Sequence, residues 1–187
     1  HMDGARFASA LASLSLTPKE LTWQRGVDVL CLGGTKNGMA VGDCVVFFDN
    51  ELAREFEYRC KQAGQLASKM RYLAAPWARM LTDDTWIRNA RHANRMASKL
   101  ADGLALIDGV DVVAPVQANA VFVRMCDGMA EELQRLGWQF YPFGGINAWR
   151  LMCSWATVET DVQQFVADAQ ALSQSSSGSD GKPAATR

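Results

Sequence analysis

The feature that most restricts the fold is a short β-rich apolar run, Val27 to Leu32, closed by Gly33-Gly34 and preceded by a helical pattern. Phe7, Leu11 and Leu14 recur at i, i+4 and i+7 with alanines filling the same face, the spacing of a helix that buries one side. Thr17, Pro18 and Glu20 then read as a second helix start: a capping box with proline at the first position, where its missing N–H has no partner to lose. The residues before Phe7 read as the end of a strand. Strand, helix and strand in that order make a parallel pair joined by a crossover, and two or three short strands do not form a stable sheet by themselves. Residues 1–50, with a further strand at Val45 to Phe48, are therefore expected to be a piece of a larger sheet.

From Glu51 the period changes. Leu52, Phe56, Ala63, Met70 and Leu73 keep roughly helical spacing up to Pro76, which predicts one long connecting helix over 51–76. A second helix is expected from Asp84 to Leu106, with Trp86, Ala90, Ala93, Ala97, Leu100 and Leu104 as its apolar stripe. Beyond Gly109 the pattern predicts strands at Val110–Val113 and Ala120–Met125, a helix over Gly128–Leu136 capped by Asp127, and a strand over Ala148–Trp155. A last helix starts at Thr157. Residues 77–172 are thus expected to form a compact α/β domain, and the serine-rich tail 173–187, which has nothing to bury, a disordered end.

Charge and cysteine usage exclude several classes. Of 187 residues 21% are charged, the formal net charge is −1, and no basic run occurs, so neither nucleic acid nor another polyanion is an expected partner. No apolar run approaches the ~18 residues a membrane-spanning helix needs, and no membrane partner is expected. The five cysteines are odd in number, far apart and without a C-x-x-C pair, which speaks against a metal site or a disulfide framework and for a cytoplasmic protein.

Three residues stand where chemistry is expected in such a fold. Asp3 and Lys36 both fall just past the carboxyl ends of predicted strands, the edge at which open α/β sheets bind ligands, and Arg6 follows close behind. Gly33-Gly34 and Gly38 around the lysine permit tight turns and close approaches. The same Gly-Gly-Thr-Lys-Asn-Gly segment also reads as a plain surface loop, since Asn-Gly is a hairpin-turn signal. It has neither the spacing of a phosphate-binding P-loop nor that of a dinucleotide fingerprint. Arg150 interrupts a strand whose alternate residues, Trp149, Leu151, Cys153 and Trp155, are apolar, and by residue type alone it serves equally well on a solvated face or against a ligand.

The stretches HMDGARF (1–7), DVLCLGGTKNGMAVGDCVVFF (28–48), FEYRCKQAGQLASKMRYLAAPW (56–77) and WRLMCSWAT (149–157) resemble, in that order, L-threonine aldolases of the β-eliminating lyase group. The resemblance implies a pyridoxal-phosphate-dependent transferase-like fold of the aspartate aminotransferase type, fold type I. This chain would be the C-terminal part of the large domain followed by the small C-terminal α/β domain. It implies that Lys36 carries pyridoxal 5'-phosphate on its amine, that Asp3 pairs with the pyridine nitrogen, and that Arg6 and Arg150 hold the substrate carboxylate. A basic residue of the 56–77 stretch, Arg59 or Lys61, would reach the cofactor phosphate. No metal is implied.

The activity so implied is cleavage of L-threonine, allo-threonine or another 3-hydroxy amino acid into glycine and an aldehyde, by a homodimer or homotetramer. The family's phosphate cup and the ring stacked on the cofactor come from the half that precedes these motifs. The chain is accordingly expected to be a fragment, inactive alone. Another lyase of the same fold, acting on aromatic amino acids, and a non-catalytic assembly module are the alternatives.

Overall fold

The computed structural model describes residues 1–145 and 147–177 and divides into two units, one of residues 1–93 with 154–156, the other of residues 94–153 and 157 onward. In the first unit β1 (Met2–Gly4) pairs in parallel with β2 (Val29–Gly33), and β3 (Asp43–Phe47) runs antiparallel to β2, in the order β1-β2-β3. The crossover from β1 to β2 is made by α1 (Phe7–Leu14), α2 (Pro18–Leu21) and a 3-10 turn at Trp23–Arg25. Phe7 and Leu11 bury against Leu30 and Leu32, joined by Trp77, Trp86 and Ile87. Leu14 stays exposed because α1 stops there, at the left-handed Ser15. The capping box forms as expected: the Thr17 N–H donates to Glu20 at 2.8 Å and its hydroxyl at 2.5 Å, which holds the Glu20 carboxyl below its usual range.

The long helix expected over 51–76 is instead three pieces, α3 (Asn50–Ala53), α4 (Phe56–Gln62) and α5 (Arg71–Thr82). Gly64 and Lys69 take positive φ, +69° and +60°, and break the run between α4 and α5. Pro76 does not end α5 but lies inside it; Met80 is that helix's only buried residue, so the hydrogen bond the proline forfeits is left on a solvated element. Leu52, Tyr58, Leu66, Met70, Tyr72 and Leu81 remain exposed along this stretch. Next, α6 (Thr85–Leu104) begins where Asp83 accepts the Thr85 N–H at 3.2 Å and its hydroxyl at 2.5 Å. The division between the units falls inside α6, after Ala93, not near residue 77. The expected stripe is realised, with Trp86 on the first core and Ala97, Leu100 and Leu104 in the second.

The second unit is an antiparallel sheet of β4 (Val110–Val112), β5 (Ala120–Met125), β6 (Tyr141–Phe143) and β7 (Ala148–Met152), ordered β4-β5-β7-β6. Val121, Val123, Leu151 and Cys153 point to one face, where α6, α7 (Met129–Arg135) and α8 (Glu159–Ser177) cover them with Leu100, Leu133, Phe165 and Ala169. Burial pushes the Cys153 thiol up to about 11. Gly128, at φ +80°, precedes α7 in place of an Asp127 cap. The strand expected to reach Trp155 ends at Met152: Asn119 pairs with Cys153 through both its side-chain N–H (2.6 Å) and its carbonyl (2.9 Å), and Ser154–Ala156 belong to the first unit. Residues 173–177, expected to open the disordered tail, continue α8, and the buried Ser173 donates its hydroxyl to the Asp108 carbonyl at 2.8 Å. The remainder of the expected tail, 178–187, lies outside the described residues. Among the described residues no helix is long and apolar enough to cross a membrane, and none of the five cysteines is in a disulfide.

Candidate active site

Parallel pairing places Asp3 opposite Cys31 and Gly4 opposite Leu32, so the residues that follow β1 and those that follow β2 emerge at one sheet edge. Arg6 follows the end of β1 and Lys36 that of β2, whereas Asp3, expected just past its strand, is the middle residue of β1, because the pairing with β2 continues through Gly4. Side chains alternate along both strands: Leu30 and Leu32 face the α1 side and are buried, while Asp3 and Cys31 share the opposite face, where Asp3 is exposed. His1 lies on that face too, its Nε2 3.2 Å from the Cys31 sulfur. Asp3 is oriented by its own chain, accepting the Ala5 N–H at 2.9 Å. The two strand ends approach so closely that a Cβ on Gly33 would stand 2.7 Å from the Ala5 Cα. Glycine is needed there because the obstacle is backbone, which cannot give way.

Lys36 lies in a single 3-10 turn, Thr35–Asn37, between β2 and β3. The loop is the connection of an antiparallel pair and also follows the carboxyl end of a strand of the parallel one. The turn is closed by the N–H groups of Asn37 and Met39, which donate to the Gly34 carbonyl at 2.9 and 3.0 Å. It is also tied to α6 on both sides of Asn37. The Asn37 side chain donates to the Trp86 carbonyl at 2.9 Å, and the Asn89 side chain donates to the Asn37 carbonyl at 2.9 Å. Gly34 is packed so closely that a Cβ would meet Trp77 at 2.6 Å, and Gly38 turns the chain at φ +105°, where an added Cβ would stand 3.6 Å from the Trp155 ring. The Lys36 backbone is thus fixed while its side chain is exposed and enters no ion pair among the described residues.

The other expected site residues are distributed. Arg6 is half-buried at the start of α1. Lys61 is exposed in the last turn of α4, and no hydrogen bond or ion pair among the described residues joins it to Asp3, Arg6 or Lys36. Arg59 instead pairs with Glu55 at 3.4 Å, a surface ion pair of one helix. Arg150 belongs to the second unit, on β7, and sits on the sheet face opposite the helices. It is half-buried and has no acidic partner among the described residues; its Nε donates to the Met152 sulfur at 3.1 Å and its Nη1 to the Tyr141 hydroxyl at 3.1 Å. Sequence reasoning missed Asn89 and Tyr141, whose only signal is a polar residue at an otherwise unremarked helix or strand position.

Chemically, β1 offers one carboxylate on an open face and the turn after β2 one primary amine on a fixed backbone. A primary amine can condense with a carbonyl, and a carboxylate can pair with a basic nitrogen. Arg150 offers, in a planar fork, N–H donors that have no acceptor among the described residues, which suits a carboxylate.

Comparison with known proteins identifies the family. Residues 1–127 match the model of the family described as beta-eliminating lyase. The chain is 55% identical over 172 residues to a low specificity L-threonine aldolase of Pseudomonas sp. (strain NCIMB 10558), a match covering 92% of this chain and 50% of that protein. A low specificity L-threonine aldolase of Pseudomonas aeruginosa is likewise 55% identical over 168 residues, covering 90% of the chain and 49% of the relative. Among solved structures, a Leishmania major threonine aldolase superposes with a TM-score of 0.81 at 30% identity, over 91% of this chain and 50% of that one. Catharanthus roseus tryptophan decarboxylase, at 19% identity and a TM-score of 0.63, shares the fold. The chain spans about half the length of the curated relatives it matches.

Proposed function

Since the chain belongs to the beta-eliminating lyase family, we propose that it supplies the lysine-bearing half of a pyridoxal-phosphate-dependent aldolase that cleaves L-threonine, allo-threonine and related 3-hydroxy amino acids to glycine and an aldehyde. The observation that carries this reading is that Asp3 and the Lys36 turn belong to adjacent parallel strands, Asp3 within β1 and Lys36 beyond the end of β2, with the turn clamped and its amine in no ion pair among the described residues. The donor set fits the cofactor. A primary amine matches its aldehyde, and a carboxylate held by the Ala5 N–H matches its pyridine nitrogen.

When bound, pyridoxal phosphate supplies an electron sink for the pair released as the Cα–Cβ bond breaks. The chain's own residues would supply part of what remains. Lys36 would hold the cofactor and could move a proton at its Nζ; Asp3 would pair with the ring nitrogen; Arg6 and Arg150 would hold the substrate carboxylate; Lys61 would meet the phosphate. Activity belongs to a polypeptide longer than these 187 residues, because the relatives are about twice as long. We further assign the protein to the cytoplasm and to a homodimer or homotetramer. The unpaired cysteines support the first, and the exposed apolar side chains of residues 52–81 support the second.

The test is an assay of glycine release from L-threonine and L-allo-threonine by the full-length, cofactor-loaded protein, beside elimination from tyrosine and tryptophan. Cleavage of the 3-hydroxy amino acids alone is expected. Turnover of the aromatic substrates in their place would assign the protein to the other lyases of the family.

A further inference from the structure

Arg150 stands at the centre of a cross-strand row. Phe122 of β5 lies opposite it on one side and Tyr141 of β6 on the other, all on the sheet face turned away from the helices. The guanidinium carbon is 5.9 Å from the Tyr141 ring centre and 5.8 Å from that of Phe143, which itself leans on Phe122 at 5.2 Å. An arginine has five N–H donors. Here Nε is directed to the weak acceptor sulfur of Met152 and one Nη1 hydrogen to the Tyr141 oxygen. The second Nη1 hydrogen and both Nη2 hydrogens have no acceptor among the described residues. A half-buried cation fastened at one side by rings and a hydroxyl, with no carboxylate neighbour, is prepared for an incoming anion rather than satisfied in place.

We propose that Tyr141 is a positioning residue for substrate binding: its hydroxyl and ring hold the Arg150 guanidinium so that the Nη1 and Nη2 hydrogens left over form the two-pronged site for an amino-acid carboxylate. The proposal rests on the reading of Arg150 as the carboxylate ligand. It adds that the fork is oriented by β6 and not by β7 alone. An arginine side chain has four rotatable bonds, and fixing its head before the ligand arrives removes part of the ordering cost of binding. The aromatic rings of Tyr141 and Phe143 do this without neutralising the charge, as a carboxylate partner would.

The experiment compares Tyr141→Phe, Arg150→Lys and the double variant in the full-length, cofactor-loaded protein. It measures the glycine dissociation constant by calorimetry, KM and kcat for L-threonine, cofactor affinity, and the unfolding midpoint without ligand. Tyr141 is largely exposed, and Tyr141→Phe keeps its ring, so the fold has little to lose. Loss of one hydrogen bond that orients the arginine is expected to weaken glycine binding and raise KM by about 3- to 10-fold, with kcat, cofactor affinity and unfolding midpoint unchanged. In the Arg150→Lys background the same change is expected to have little further effect.

Unchanged glycine binding in Tyr141→Phe beside weakened binding in Arg150→Lys overturns the positioning role and leaves the carboxylate assignment standing. Unchanged binding in Arg150→Lys overturns both. A lowered unfolding midpoint with intact glycine affinity reduces Tyr141 to a structural residue, and a full Tyr141→Phe effect persisting beside Arg150→Lys shows that it does not act through the arginine.

Discussion

The side-chain amide of Asn89 donates to the main-chain carbonyl of Asn37 at 2.9 Å, reaching across 52 positions of sequence to the residue beside Lys36. Asn37 answers with its own side chain, which donates to the Trp86 carbonyl at 2.9 Å. The lysine turn is therefore fastened to the first turns of α6 by two amides, and the amine at its centre is left unattached.

Replacing Asn89 by leucine should release one side of that fastening. The Asn37 carbonyl would lose a part-buried hydrogen bond, which costs about 1 kcal/mol of stability. Urea unfolding should show that loss. Pyridoxal phosphate should also add to Lys36 less completely, measured as the fraction of pyridoxyl-lysine fixed by borohydride. If both readings equal those of the parent protein, the clip has no bearing on the lysine.

In the full-length protein Lys36 should be the residue that carries the cofactor. Borohydride reduction and peptide mapping are expected to find the pyridoxyl group on the peptide containing Gly34-Thr35-Lys36-Asn37. A label on Lys61 or Lys69 would refute the assignment.

Asp83 should contribute an acid-sensitive part of the stability. The Thr85 hydroxyl above all, helped by the Thr85 N–H and the charges of Arg79 and Arg88, holds its carboxyl below the usual range, with desolvation the second-largest influence and opposed to them. Its proton affinity is thus lower folded than unfolded, so its contribution is present above the unfolded value of about 3.9 and is lost as pH falls through the folded one. Asp83→Asn should lower the thermal midpoint at pH 7, and the gap to the parent should narrow as the solution is acidified. A gap of constant size across that range would show that the charge is not responsible.

Much of this fold was legible because its elements obey simple periods. The stripe of α6 appears at the predicted residues, and β5 has the predicted ends, Ala120 and Met125. The failures share a cause: local conformation decided by one backbone angle or by a distant partner. Gly64 and Lys69 interrupt a helical pattern that side-chain spacing alone continues. Tyr141-Pro142-Phe143 escaped notice as a strand because it is short and contains proline, which an edge strand tolerates since its outward side makes no ladder hydrogen bonds.

The site divides the same way. The order of strand, helix and strand put Asp3 and Lys36 on adjacent parallel strands, although Asp3 lies within its strand and not past its end. The residues that orient their surroundings could not be placed in this way, since Asn89 acts from 52 positions away and Tyr141 from the far end of a hairpin.

The return of Ser154–Ala156 to the first unit, with Trp155 beside Gly38, has a bearing on how the molecule is made. A ribosome releases residues in order, and domains generally fold as units, the N-terminal one first. Here the unit that carries Lys36 lacks its final segment until every strand of the second sheet has been synthesised. The lysine turn can be wound early, but its neighbourhood is completed late. A stop codon anywhere before residue 154 would leave Lys36 without that last segment of its unit.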